Sequence, residues 1–122
     1  MKKAGDFMEK IKFYEEISPM ECMQGDTLPE FYVPVENAEN CSMCMILENT
    51  TFPGSRVLQR ACEKAVEEDT VTFSVQLTSE DTKNLAGMYR MTFWLTDENN
   101  LTYVKLTGTL TVVQITQKGE SA

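Results

Sequence analysis

From Val71 to Leu77 apolar and polar residues alternate without a break. Val71, Phe73, Val75 and Leu77 fall on one face, and Thr72, Ser74, Gln76 and Thr78 on the other. A period of two is the mark of a half-buried antiparallel strand, since successive side chains of a strand point to opposite faces. The pattern recurs from Met88 to Leu95, with Tyr89, Met91, Phe93 and Leu95 sharing a face. It returns from Leu101 to Val113, where Val104, Leu106, Leu110 and Val112 share a parity and Gly108 reads as a bulge.

The remaining chain fits strands and turns. Phe31, Val33 and Val35 alternate with Tyr32 and Pro34. Pro29 and Pro34 cannot donate to a ladder, so this strand is predicted at a sheet edge. Cys41 to Leu47 is apolar on both faces, as a covered strand would be. Asn49 to Ser55 is a loop carrying Pro53-Gly54, and Asp97-Glu98-Asn99-Asn100 is a hairpin loop. Arg56 to Lys64 fits a helix or a strand giving way to a loop, and the strand is preferred. Ser79-Glu80-Asp81-Thr82 opens a short helical turn near residues 79–85, capped by Ser79, with Leu85 beneath it and Gly87 ending it. Residues 1–19 form an N-terminal extension. In it Phe7, Ile11 and Tyr14 share a helix face, or Lys10 to Glu16 is a strand. Residues 20–116 are predicted as an all-β, immunoglobulin-like antiparallel sandwich of about seven strands, followed by a tail over 117–122.

A chain of 122 residues has room for one such domain, and its 42% hydrophobic content suffices for a core. Eleven basic against nineteen acidic residues give a net charge of −8. That balance repels phosphate backbones and anionic lipid, so neither a nucleic acid nor a membrane is an expected partner. The sequence contains no histidine. Ser-His-Asp and Cys-His hydrolases are thereby excluded, and His-based catalytic zinc with them. No cofactor is implied. After Met1-Lys2-Lys3 no apolar run of signal-peptide or membrane-spanning length follows, which points to synthesis in the cytoplasm.

Five short motifs occur in a telling order. Gly25-Asp26-Thr27-Leu28 opens the domain. Phe73-Ser74-Val75-Gln76-Leu77-Thr78-Ser79-Glu80-Asp81-Thr82 follows, then Leu85-Ala86-Gly87-Met88-Tyr89, Leu95-Thr96-Asp97 and Gly108-Thr109-Leu110-Thr111-Val112. In this order the stretch Gly25 to Val113 resembles the N-terminal immunoglobulin-like domain of phage baseplate upper proteins of Gram-positive bacteria and related prophage tail proteins. The resemblance implies a non-enzymatic structural protein of a tail or baseplate, found in the bacterial cytoplasm when made and in the virion when assembled. Its implied partners are other tail or baseplate proteins and further copies of itself. Independently, Tyr89, two residues after Gly87 and four after Leu85, is placed as a tyrosine corner: ring in the core, hydroxyl on upstream backbone.

Four other constellations stand out in the sequence. Cys22, Cys41, Cys44 and Cys62 include a C-x-x-C, which would suit a zinc or redox site. In a strand, however, Cys41 and Cys44 point to opposite faces, and reduced core cysteines are the simpler reading. The sequons at Asn40, Asn49 and Asn100, and the acidic pairs in turns, are ordinary surface sequence. Trp94 lies with Arg90 and Thr92 on the face opposite Tyr89. That face is either an exposed protein interface or is covered by the N-terminal segment or a loop. A carbohydrate-binding or adhesion sandwich, and a small zinc or redox protein, stand as alternatives to the tail component.

Overall fold

Strand β4 (Ser42–Asn49) sits in the middle of the larger sheet, because Met43, Met45, Leu47 and also Ile46 are apolar enough to be covered on both faces. It pairs antiparallel with β5 (Arg56–Ala61) on one side and β8 (Gly87–Thr96) on the other. Strand β9 (Thr102–Val113) pairs antiparallel with β8. Beyond it lie β1 (Glu15–Glu16) and β2 (Met20–Met23), both parallel to β9. The second sheet has the order β3 (Phe31–Glu36), β7 (Thr70–Val75), β6 (Glu63–Glu67), all antiparallel. One helical turn, α1 (Ser79–Thr82), joins β7 to β8. The structure is a computed structural model that describes residues 14–51 and 55–114. The expectations for residues 1–13, for Pro53-Gly54 and for the tail over 117–122 lie outside the described residues.

The strand order is that of an immunoglobulin-like sandwich. A four-stranded unit β9-β8-β4-β5 faces a three-stranded unit β3-β7-β6, and an N-terminal strand runs parallel to the last one. Phe73, Phe93, Met45, Leu47, Leu77, Met91 and Leu110 are fully buried between the sheets. Phe31 from the smaller sheet meets Phe93 from the larger edge to face, with centroids 6.0 Å apart and ring planes at 69°.

Several local expectations are corrected. Nine strands occur among the described residues, and β2 and β6 account for the excess. Strand β2 is too short for its alternation of Met20 and Cys22 to register between Pro19 and Gly25. The segment after Ala61 is a strand and not a loop. All of β6 is exposed, so it carries no burial period, and only its pairing with β7 defines it. The cap of α1 is Thr78 and not Ser79. Thr78 and Asp81 form a reciprocal capping box, in which Asp81 accepts from the Thr78 amide at 2.8 Å.

The irregularity in the last hairpin is also elsewhere than at Gly108. The β8–β9 register shifts between Phe93 and Trp94, so that Phe93 opposes Leu106 while Trp94 opposes Val104. Lys105 is the extra residue, and it turns Val104 to the outer face beside Trp94. Gly108 opposes Met91 on the inner face and has a steric task. A Cβ there would stand 2.5 Å from Cγ1 of Ile17. The Ile17 amide donates to the Thr107 carbonyl at 2.9 Å, which ties the segment between β1 and β2 against this spot. Gly108→Ala is expected to cost about 1–3 kcal/mol through overpacking. In urea unfolding, Ile17→Ala in the same chain should recover part of that loss; strict additivity of the two changes would show that the contact is not limiting.

Candidate functional site

The side chains of Arg90, Thr92 and Trp94 project from the outer face of the larger sheet, opposite the buried Tyr89, Met91 and Phe93. The three are not equally presented. Arg90 is exposed, Trp94 is half-buried, and Thr92 is only 8% exposed. Of the two readings of this face, exposed or covered, Trp94 falls between, half-buried by its neighbours on the flanking strands. Strand β8 is central, so each outward side chain has a neighbour on both sides. Trp94 lies between Cys44 and Val104, while Thr92 lies between Ile46 and Thr107 in a cross-strand row that is itself buried. Sequence parity assigned the face correctly but carries no information on the flanking strands.

The end of the sandwich near α1 is the most heavily cross-linked region. Leu85 is buried beneath the turn, and Gly87 takes a φ of 104°, which glycine tolerates without the Cβ penalty. The buried Tyr89 ring brings its hydroxyl to Ala86, accepting from its amide at 2.8 Å and donating to its carbonyl at 2.9 Å. Thr82 is fully buried. Its hydroxyl donates to the Asp26 carbonyl at 2.7 Å and accepts from the Gly25 amide at 3.0 Å. Gln24 donates from its side chain to the Leu85 carbonyl at 2.9 Å. Each buried polar group here has a partner, which is what makes its burial tolerable.

Arg60 adds an ionic clamp. From β5 its guanidinium makes a two-pronged contact with Asp81, both bonds 2.7 Å, and also donates to the Gln76 carbonyl at 3.2 Å. The Arg60 guanidinium, with help from Thr78, holds the Asp81 carboxyl down at about 2. This pair leaves no local mark in the sequence, since its partners lie 21 positions apart.

Two grooves lie on the N-terminal side of the sandwich, the first of them beside this end. One groove of about 470 Å³ lies between β2 and the approach to β3, lined by Met20, Cys22, Leu28, Pro29 and Phe31 with Glu21, Asp26 and Glu30 among its walls. A second, of about 500 Å³, continues along the same side between Glu15, Ile17, Tyr32, Pro34, Lys105 and Leu106.

The four cysteines are free thiols, each half-buried. Burial, with a smaller contribution from Cys44, pushes the Cys62 thiol up to about 11. Burial first, then Asp26 and Glu21, raises the Cys22 thiol as well. Thiols held in that direction are poor nucleophiles at neutral pH. Among the described residues no group of three or more Cys, Asp and Glu is arranged to hold a metal ion, and no helix is long and apolar enough to cross a membrane.

No family model matches the chain, and no curated protein matches it. Among solved structures, a non-cellulosomal cohesin from the hyperthermophilic archaeon Archaeoglobus fulgidus is similar over 88% of this chain and 94% of that one, at 13% identity and a TM-score of 0.30. A likeness that slight carries no argument. The fold assignment rests on strand order and register.

Two measurements test this end of the domain. Tyr89→Phe strips the partner from the Ala86 amide and should cost about 1–2 kcal/mol in urea unfolding, whereas Tyr89→Ala should cost about 3 kcal/mol or more. Asp81 has a carboxyl pKa lowered on folding, so its contribution is complete above the ordinary carboxylate range. It is lost as pH falls from about 4 toward 2. Arg60→Met should lower stability by about 1 kcal/mol at pH 6, the pair being partly exposed, and should flatten the wild-type loss below pH ~4.

Proposed function

We propose that the chain is a non-enzymatic assembly module of a phage or prophage tail or baseplate, working through protein–protein contacts. The observation that carries this reading is how the motifs behind the resemblance are used. Gly25-Asp26 and Thr82 are more than fifty residues apart in sequence, yet the buried Thr82 hydroxyl bonds both backbone groups of the opening motif. The Leu28 amide donates to the Leu77 carbonyl at 3.0 Å, and the Gln76 side chain donates to the Leu28 carbonyl at 3.0 Å. Tyr89 of the third motif closes the same end. The first three of the five motifs thus interlock at one end of the domain, which supports the fold that the resemblance implies.

The absence of histidine and the raised thiols of Cys22 and Cys62 favour a binding role over a chemical one. Open sheet edges supply the means of docking. Among the described residues, strands β5 and β6 each pair on one side only. Particles purified after induction of the source strain should contain this chain at a fixed ratio to the tail proteins, by quantitative mass spectrometry. Its absence from intact particles would remove the tail assignment.

A further inference from the structure

The two long sides of the sandwich are closed differently. On one side the chain itself crosses from sheet to sheet, with Cys62 alone between β5 and β6. On the other side the chain passes from β2 to β3 through the longer segment 24–30, and the two grooves lie there. Pro29 and Pro34 remove amide donors along the free side of β3, so an added strand cannot form a full ladder with it. What this side offers is an apolar floor with charge around it.

That charge is of one sign in the first groove. Glu21, Asp26 and Glu30 line it and no lysine or arginine does. Glu21 and Glu30 are exposed. Asp26 caps the Met23 amide at 2.9 Å, and Glu30 accepts from the Tyr32 hydroxyl at 3.1 Å; among the described residues neither is paired with a lysine or arginine. The Cys22 thiol beside them is raised by burial first and then by Asp26 and Glu21. The matching sequence lies in this chain. Residues 1–13 hold four of its eleven basic residues, Lys2, Lys3, Lys10 and Lys12, against Asp6 and Glu9, while the whole chain is net −8. Phe7, Ile11 and Phe13 are interspersed among them.

We propose that the acidic, apolar-floored groove between β2 and β3 binds residues 1–13 of a second copy, with lysines against Glu21 and Glu30 and aromatic or aliphatic side chains over Met20, Leu28 and Phe31. This rests on the assembly reading above and names the contact through which copies join. The joint is electrostatic at its rim and therefore weakens with salt.

A charge-exchange experiment on the full chain tests it. One variant carries Lys2→Glu, Lys3→Glu, Lys10→Glu and Lys12→Glu; the other carries Glu21→Lys and Glu30→Lys. Circular dichroism confirms that each is folded, and the first alters no described residue. Light scattering over a concentration series should show wild type associating, and each variant alone associating ~10-fold or more weakly. An equimolar mixture should regain association, since the acidic segment of one then meets the basic groove of the other. A wild type that stays monomeric throughout, or variants that associate as wild type does, overturns the proposal. So does a mixture that recovers nothing from two folded variants. Wild-type association that ignores both charge sets keeps the assembly reading while removing this groove. Absence from particles removes the tail assignment while leaving the groove intact.

Discussion

Strand β8 is hydrogen-bonded on both sides, to β9 along its whole length and to β4 over most of it. Everything else in the domain is placed by that double pairing. It presents Tyr89, Met91, Phe93 and Leu95 to the core, and Phe93 meets Phe31 of the other sheet. A one-residue slip on either side would send those four outward and Arg90, Thr92 and Trp94 inward. The shift in the β8–β9 register, at Lys105, comes after Phe93 and Leu106 have already been seated. It changes the environment of Trp94 and Val104 and leaves the core intact.

The two ends of β8 then do different things. Its N-terminal end enters through α1, where Tyr89, Thr82 and the Arg60–Asp81 pair fix the turn to β5 and to the loop before β3. The buried polar groups there all have partners. The same loop, through Asp26, Thr27 and Leu28, walls the groove beside β2 and β3, which keeps an apolar floor and an acidic wall facing outward. The opening motif thus both locks the turn at Thr82 and lines the groove.

Much of the fold was legible in the chain. The alternation at Val71–Leu77 and Met88–Leu95 fixed two strands and their inward faces, because a period of two is a local property of the backbone. The prolines put β3 at an edge for an equally local reason, the missing donor. Strand β6 was not legible, since every one of its residues is exposed and only the ladder to β7 defines it. The candidate site was legible in part. Parity gave Trp94 its face, but its half-burial comes from Cys44 and Val104 on neighbouring strands.

What the sequence determined by itself is the class: an all-β sandwich with an edge strand at Phe31–Glu36, a tyrosine corner at Tyr89, and a chemistry without histidine. These follow from local periodicity, from backbone restrictions and from composition, and none needs a partner distant in the chain. What only the tertiary structure decided is which distant groups meet. The Arg60–Asp81 clamp, the Thr82 bond to Gly25 and Asp26 and the seating of Ile17 over Gly108 each join residues far apart in sequence. Such contacts depend on register and on sheet-to-sheet packing, which are fixed by the chain as a whole and leave no periodic trace in any one segment.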